Sequence, residues 1–163
     1  MKQIDKIANL AVIVAVVVFV AVTVRREFFA KSVPQMSADP TGTTISLPEI
    51  QNSKYQNTVV LVLSTSCHFC RESLPFYVQL SQMSRGHASV LAVLPEPMKE
   101  AKDFLNVAGV SVDQIITRAP DAVGVRGTPT VLLVDPRGKV RRSWIGKLDA
   151  SRQKELLDVI MHL

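Results

Sequence analysis

Cys67 and Cys70 are the only cysteines among 163 residues, and they stand two apart in the run Cys67-His68-Phe69-Cys70. Two intervening residues at a helix start let both sulfurs approach bonding distance, while the first thiol points at the N–H groups that the first turn leaves unpaired. Those groups and the helix dipole favour a thiolate: free cysteine has a pKa of about 8.5, and Cys-x-x-Cys thiols at helix starts fall to roughly 3.5 to 7. Cys67 is therefore the candidate nucleophile. Cys70, one turn into the helix, is the shielded thiol that would resolve a mixed disulfide. His68 is a candidate thiolate-tuning residue, because an imidazolium beside a thiolate stabilises the reduced form; the bland alternative is an exposed spacer. Two inert buried thiols, or half of a metal site, are the other readings of the pair. A metal would need two more ligands, and His87 and His162 are isolated in sequence, so neither metal nor cofactor is expected.

The chemistry depends on a strand handing over to a helix at Cys67, and the flanking residues provide both. Thr58 to Thr65 (TVVLVLST) is a β-branched run suited to a strand buried on both faces. Leu74, Tyr77, Val78 and Met83 then follow at helical spacing, with a kink expected at Pro75. A second apolar run, Ser89 to Leu94, ends at Pro95-Glu96-Pro97 and precedes a helical pattern from Met98 to Ala108 that Gly109 stops. Strands joined this way must pair in parallel through right-handed crossovers. After a less regular stretch, Thr130–Val134 and Lys139–Ile145 flank Asp135-Pro136-Arg137-Gly138. Pro136 presets φ and Gly138 relaxes the last position, so an antiparallel hairpin is expected. Ser151 is expected to cap a terminal amphipathic helix that carries Leu156, Leu157, Ile160 and Leu163. The sum is an α/β fold: a mixed central sheet with helices on both faces.

Just before the hairpin stands Gly127-Thr128-Pro129-Thr130. A lone proline there can simply begin an edge strand. A cis Thr128–Pro129 bond would instead expose the Thr128 backbone to an incoming peptide, with no N–H at 129 to compete.

Hydrophobic residues make up 47% and charged residues 20% of the chain, enough to bury one ordinary core and too ordered a mixture for a disordered polymer. The net charge is +5, and residues 1–31 hold Lys2, Lys6, Arg25, Arg26 and Lys31 against Asp5 and Glu27. Basicity is thus concentrated at the start of the chain and leaves no nucleic-acid footprint; the cluster Arg137, Lys139, Arg141, Arg142 reads as a solvated strand. From Ile7 to Val24 the chain has eighteen residues without a charge. As a helix at ~1.5 Å per residue this run spans about 27 Å, close to the hydrocarbon core of a bilayer. A cleaved signal would need a shorter run and a small-x-small site, whereas Arg25-Arg26-Glu27-Phe28-Phe29 follows at once, so an uncleaved single-pass anchor is expected. Basic residues on both sides leave its orientation to the chemistry, which needs an oxidising compartment such as the periplasm. The expected organisation is an anchor over 1–29, a linker with a possible short hairpin over 30–57, and a globular domain over 58–163.

Residues 58–163 resemble the thioredoxin superfamily, and most of all its membrane-tethered, extracytoplasmic TlpA-like branch. The resemblance rests on TVVLVLST before CHFC, on Pro75 five residues after the second cysteine, on VRGTPT at 125–130, and on the hairpin VLLVDPRGKVRRSWIG. It implies a thioredoxin-like fold and a thiol-disulfide oxidoreductase in which Cys67 attacks, Cys70 resolves and Pro129 is a cis-proline facing them. Its partners would be protein thiols and disulfides, with the membrane held through the N-terminal helix and the chain monomeric. The chain departs from the pattern at three places. Ser66 stands where tryptophan is usual, Leu61 where thioredoxins carry a buried acid, and Ser73, with Glu72 beside it, where many TlpA-like proteins have Glu. A peroxiredoxin-like peroxidase would need a proline and a hydroxyl upstream; Val60 and Ser64 are there, and only the hydroxyl is present. A copper-delivery module of the same fold would use both thiolates and a remote histidine, although the family's copper carriers generally space their cysteines by three.

Overall fold

The apolar run after the linker forms strand β1 (Thr58–Val62), all five residues of which are buried. A computed structural model describes residues 39–51 and 53–163, so the expected membrane segment Ile7–Val24 lies outside the described residues. Among the described residues no helix is long and apolar enough to cross a membrane. The chain runs through a short helix α1 (Pro48–Gln51), β1, α2 (His68–Met83), β2 (Ser89–Leu94), α3 (Met98–Ala108), β3 (Gln114–Thr117), a 3-10 turn (Pro120–Val123), β4 (Thr130–Val134), β5 (Val140–Ile145) and α4 (Ala150–Met161).

The five strands are ordered β3-β2-β1-β4-β5. β1 pairs with β2 and β2 with β3 in parallel, while β4 runs antiparallel to both β1 and β5. The hairpin closes as the residue types require: the Gly138 N–H bonds the Asp135 carbonyl at 2.9 Å. Gly138 has φ +80°, and a Cβ there would lie 2.3 Å from the Ile45 carbonyl oxygen, so only glycine fits. β3 carries no sequence signal because it is a four-residue edge strand with one fully buried side chain, Ile116.

Helices were expected on both faces, yet the three long ones share one. Phe76, Tyr77 and Leu80 of α2, Ala101 and Leu105 of α3, and Leu156, Leu157 and Ile160 of α4 join Val59, Leu61, Ala92 and Val131 in a single apolar cluster. Handedness explains this: β1-α2-β2 and β2-α3-β3 are crossovers that step across the sheet in the same direction, and two right-handed steps put both helices on the same side. The other face is covered by Ile45, Leu47, Ile50, Val123 and Val125 packed on Val60, Val62, Leu91 and Leu132. The stretch read as a spacer therefore belongs to the fold from Asp39 onward, where Asp39 already bonds Ser143 and the Gly42 N–H bonds the Val140 carbonyl. Its alternating piece does not fold back on itself but pairs with the turn before β5, through Ile45 N–H to Gly138 O and Val140 N–H to Thr43 O. At α4 the cap is Asp149, whose carboxylate accepts from the Arg152 N–H at 2.9 Å, and not Ser151, which lies inside the helix.

Candidate active site

The parallel strands end where the chain turns into α2, and that turn creates the site. Leu63 still bonds across to Val93, after which Ser64 to Cys67 forms a tight turn closed by the Cys67 N–H on the Ser64 carbonyl at 3.2 Å. Cys67 is the N-cap of α2, and its sulfur takes the acceptor role that a serine or aspartate would fill, 3.2 Å from the Cys70 N–H. Helix α2 continues through Pro75, which occupies an interior position without ending it.

The two thiols have unlike environments. Cys67 is half-buried and Cys70 fully buried. Burial alone would raise the Cys67 thiol, but the Cys70 thiol, the Thr128 side chain and the N–H groups of Cys70 and Phe69 outweigh it and hold the thiol below its ordinary value. Burial, followed by the neighbouring Cys67, pushes the Cys70 thiol up to about 12. One sulfur is thus prepared to be an anion, and its neighbour to keep its proton.

The Thr128–Pro129 peptide bond is cis, and the Thr128 carbonyl receives the Cys67 S–H at 3.4 Å. Pro129 is buried and Thr128 partly so; the Pro129 carbonyl accepts the Gly146 N–H at 2.8 Å, which ties the loop to the end of β5. Thr128, Pro129, Cys67 and Cys70 are therefore brought to one place from 61 residues apart in the chain. His68 turns outward: its side chain is 77% exposed, and Nε2 sits 3.2 Å from Glu72, which in turn meets Lys147 at 2.9 Å. Its imidazole is thus engaged by a carboxylate. Phe69 is 54% exposed beside Cys67, an apolar surface at the rim of the site.

Leu61, where a buried acid was considered, lies in the core with no polar role. Ser73 is buried and donates to the Phe69 carbonyl at 2.8 Å, while burial holds the Tyr77 phenol well above its usual value. His87 follows the C-terminal end of α2, a helix of 16 residues or about 24 Å at ~1.5 Å per residue, so it stands at the far end from Cys67. His162 ends α4, with Nδ1 against the Asp158 carbonyl. Neither histidine is assembled with the cysteines, and among the described residues no three His, Cys, Asp or Glu side chains are grouped to hold a metal.

One residue escaped the sequence reading. Glu96, in the loop after β2, accepts the Ser64 hydroxyl at 2.6 Å and the Thr65 N–H at 2.8 Å, so it holds the turn that leads into Cys67. A signal was present: a carboxylate between two prolines at the carboxyl end of a buried strand, the end at which α/β sheets gather their sites.

Comparison with solved structures returns one fold. The chain is similar to a thiol:disulfide interchange protein from Bacteroides sp., with TM-score 0.58 and 15% identity over 76% of this chain and 89% of that one. It is similar to the thioredoxin domain of a thiol-disulfide oxidoreductase from Bacteroides vulgatus, with TM-score 0.57 and 15% identity over 74% and 97%. The exposed lipoprotein thioredoxin of Streptococcus pneumoniae aligns with TM-score 0.52 and 19% identity over 70% and 90%. No family model and no curated protein matches the sequence. At these identities the likeness establishes the architecture: a thioredoxin-like sheet with its flanking helices.

Proposed function

We propose that this thioredoxin-fold chain is a thiol-disulfide oxidoreductase that exchanges the Cys67–Cys70 dithiol and disulfide with protein partners. The observation that carries the reading is geometric: Cys67 caps α2 with its half-buried sulfur 3.2 Å from the Cys70 N–H and 3.4 Å from the Thr128 carbonyl of the cis Thr128–Pro129 bond, while Cys70 is buried one turn on. In the reductive direction the Cys67 thiolate attacks a partner disulfide, a mixed disulfide forms, and Cys70 displaces the reduced partner as the Cys67–Cys70 bond closes. The oxidising direction is the reverse. Members of the fold span roughly −270 to −120 mV, and a measured potential assigns the direction. Phe69 and the Thr128 backbone offer the partner an apolar contact and a strand-like edge beside the reactive sulfur.

Cys70→Ser is expected to accumulate a covalent complex through Cys67, and Cys67→Ser to accumulate none; non-reducing gels read the difference. Equal trapping by both variants defeats the assignment of roles. The uncharged run Ile7–Val24 supports a tether of one membrane helix, with the domain on the extracytoplasmic side where disulfides persist. Alkaline phosphatase fused after Leu163 is expected to be active; a silent fusion paired with an active cytoplasmic reporter reverses the topology.

A further inference from the structure

Ser64, Thr65 and Ser66 join β1 to Cys67, three hydroxyl residues in a row with no large apolar side chain for the core to hold. Polar contacts must therefore fix the turn they make. The helix cap cannot do so alone, because sulfur is a weaker acceptor than the oxygen of a serine or an aspartate. The contacts that hold the turn converge on Thr65. Its N–H donates to the Glu96 carboxylate at 2.8 Å, its hydroxyl donates to Glu100 on α3 at 2.7 Å, and its carbonyl accepts Nε and Nη2 of Arg71 at 3.0 and 2.7 Å. Every polar group of this one residue is taken up by a charged side chain, and hydrogen bonds with one charged partner are the stronger class.

Arg71 has a place that the two glutamates lack. It stands on α2 itself, one turn after Cys67, and its own N–H donates to the Cys67 carbonyl at 3.3 Å. One residue thus bonds the backbone at both ends of the segment from Thr65 to Cys67, through its guanidinium at Thr65 and its N–H at Cys67. Between those ends Ser66 is exposed, its hydroxyl 2.9 Å from that of Ser64. We infer that Arg71, with Glu100 gripping the same threonine, is a positioning residue for the nucleophile: it fixes the backbone from Thr65 to Cys67 so that the sulfur stays against the Cys70 N–H and the Thr128 carbonyl. The assignment rests on the exchange reading above.

The route is indirect. The sulfur meets Cys70 and Thr128, whereas Arg71 and Glu100 meet Thr65, so both act through the turn. The titratable and charged groups around Cys67 are Cys70 and, turned outward, His68 with Glu72 and Lys147; those around Thr65 are Arg71, Glu96 and Glu100. A turn freed at Thr65 lets the sulfur drift from its N–H donors, and a thiolate that loses donors is harder to form. Arg71 and Glu100 carry opposite charges, yet removal of either grip loosens the same turn. Position and charge therefore make different predictions.

The test follows alkylation of the full-length reduced protein by iodoacetamide as a function of pH, with mass spectrometry assigning the adduct to Cys67. The wild-type rate should rise through an inflection below the ordinary thiol value of about 8.5. In Arg71→Ala the inflection is expected to move up by about half a pH unit or more, so that the rate at pH 6 falls about threefold or more, while the plateau at high pH stays within about twofold of wild type. Glu100→Ala discriminates. Loss of a negative charge would by itself lower the inflection, whereas a loosened Thr65 raises it, so an upward shift in both variants is expected. Arg71→Lys should fall between wild type and Arg71→Ala, since an ammonium keeps the charge without the planar fork. Arg142→Ala removes an arginine paired with Glu155 and should leave the inflection in place. Arg71 and Glu100 are exposed, so neither truncation opens a cavity. Failure of the inflection to rise in Arg71→Ala or in Glu100→Ala overturns the proposal, whatever stability is lost. So does a wild-type profile in Arg71→Lys, or an equal shift in Arg142→Ala, since either makes charge alone the cause. A wild-type protein with no inflection below the ordinary value overturns the exchange reading itself, and this assignment with it.

Discussion

Two carboxylates at opposite ends of one sheet hold two turns, one remote from the cysteines and one leading into them. Asp135 follows β4 and Glu96 follows β2, and because β4 runs antiparallel to the parallel pair, their carboxyl ends point to opposite poles. Asp135 is fully employed: Oδ1 accepts the N–H groups of Arg137 and Lys139 at 2.9 and 3.0 Å, and Oδ2 meets the Arg141 guanidinium at 3.0 Å. Burial would raise this carboxyl, but the Lys139 and Arg137 N–H groups and Arg141 overcome it and hold it low. Glu96 is also buried in part and also held low, but one of its oxygens has no partner. A carboxylate with both oxygens engaged in closing a turn is finished as structure. Glu96, with one oxygen on the Ser64 hydroxyl and the Thr65 N–H, instead fixes the turn that leads into Cys67.

That contrast can be broken at either pole. The largest expected effect at the turn is from Asp135→Ala, which strands two N–H groups and an arginine and should cost about 1 to 3 kcal/mol in urea unfolding. The rate at which the reduced protein reacts with 5,5′-dithiobis(2-nitrobenzoic acid) should stay at the wild-type value under folding conditions, because Asp135 lies at the end of the sheet away from Cys67. An exchange defect in Asp135→Ala, with the protein still folded, would erase the distinction between the poles.

The pH dependence sharpens the comparison further. The folded Asp135 carboxyl lies below its ordinary value of 3.8, so its contribution to stability is present above that value and is lost as pH falls through the lower folded value. The stability gap between wild type and Asp135→Asn should therefore be constant near neutrality and close on acidification below about pH 4, as read from urea midpoints. A gap unchanged down to the acid limit means that the carboxylate charge contributes nothing.

The smallest effect is expected from Glu72→Gln at the rim. Lys147 first, and then His68, hold the Glu72 carboxyl low, but all three side chains are substantially exposed. Screening by solvent should limit the change in the rate at which Cys67 reacts with the same disulfide reagent to about threefold or less, and added salt should reduce it further. A larger and salt-resistant change would move His68 from bystander to thiolate-tuning residue.

Much of this arrangement was legible in the order of residues. The period-free run at Thr58–Val62, the interval between Cys67 and Cys70, the Gly109 stop and the Asp135–Gly138 turn are each local, and local rules of backbone geometry suffice for them. β3 was not legible, since four mostly exposed residues carry no alternation for a pattern to catch. Nor was the role of Ile45, Leu47 and Ile50, whose proline-rich neighbourhood has the composition of a spacer while their side chains close the second face of the sheet. Glu96 escaped for a different reason: its importance lies in a contact 32 residues away in the chain.

By itself the sequence determined the reactive pair, the strand-to-helix junction that activates one sulfur, and the run of crossovers and hairpin that makes a mixed sheet. These follow from spacing, burial patterns and turn chemistry, which act over a few residues. Only the tertiary structure decided that the long helices share one face, that Ile45, Leu47 and Ile50 help to seal the other, that Thr128 meets Cys67, and that Glu96 holds the turn before it. Those outcomes depend on how the sheet is wound, and winding brings together residues between which the chain itself carries no local signal.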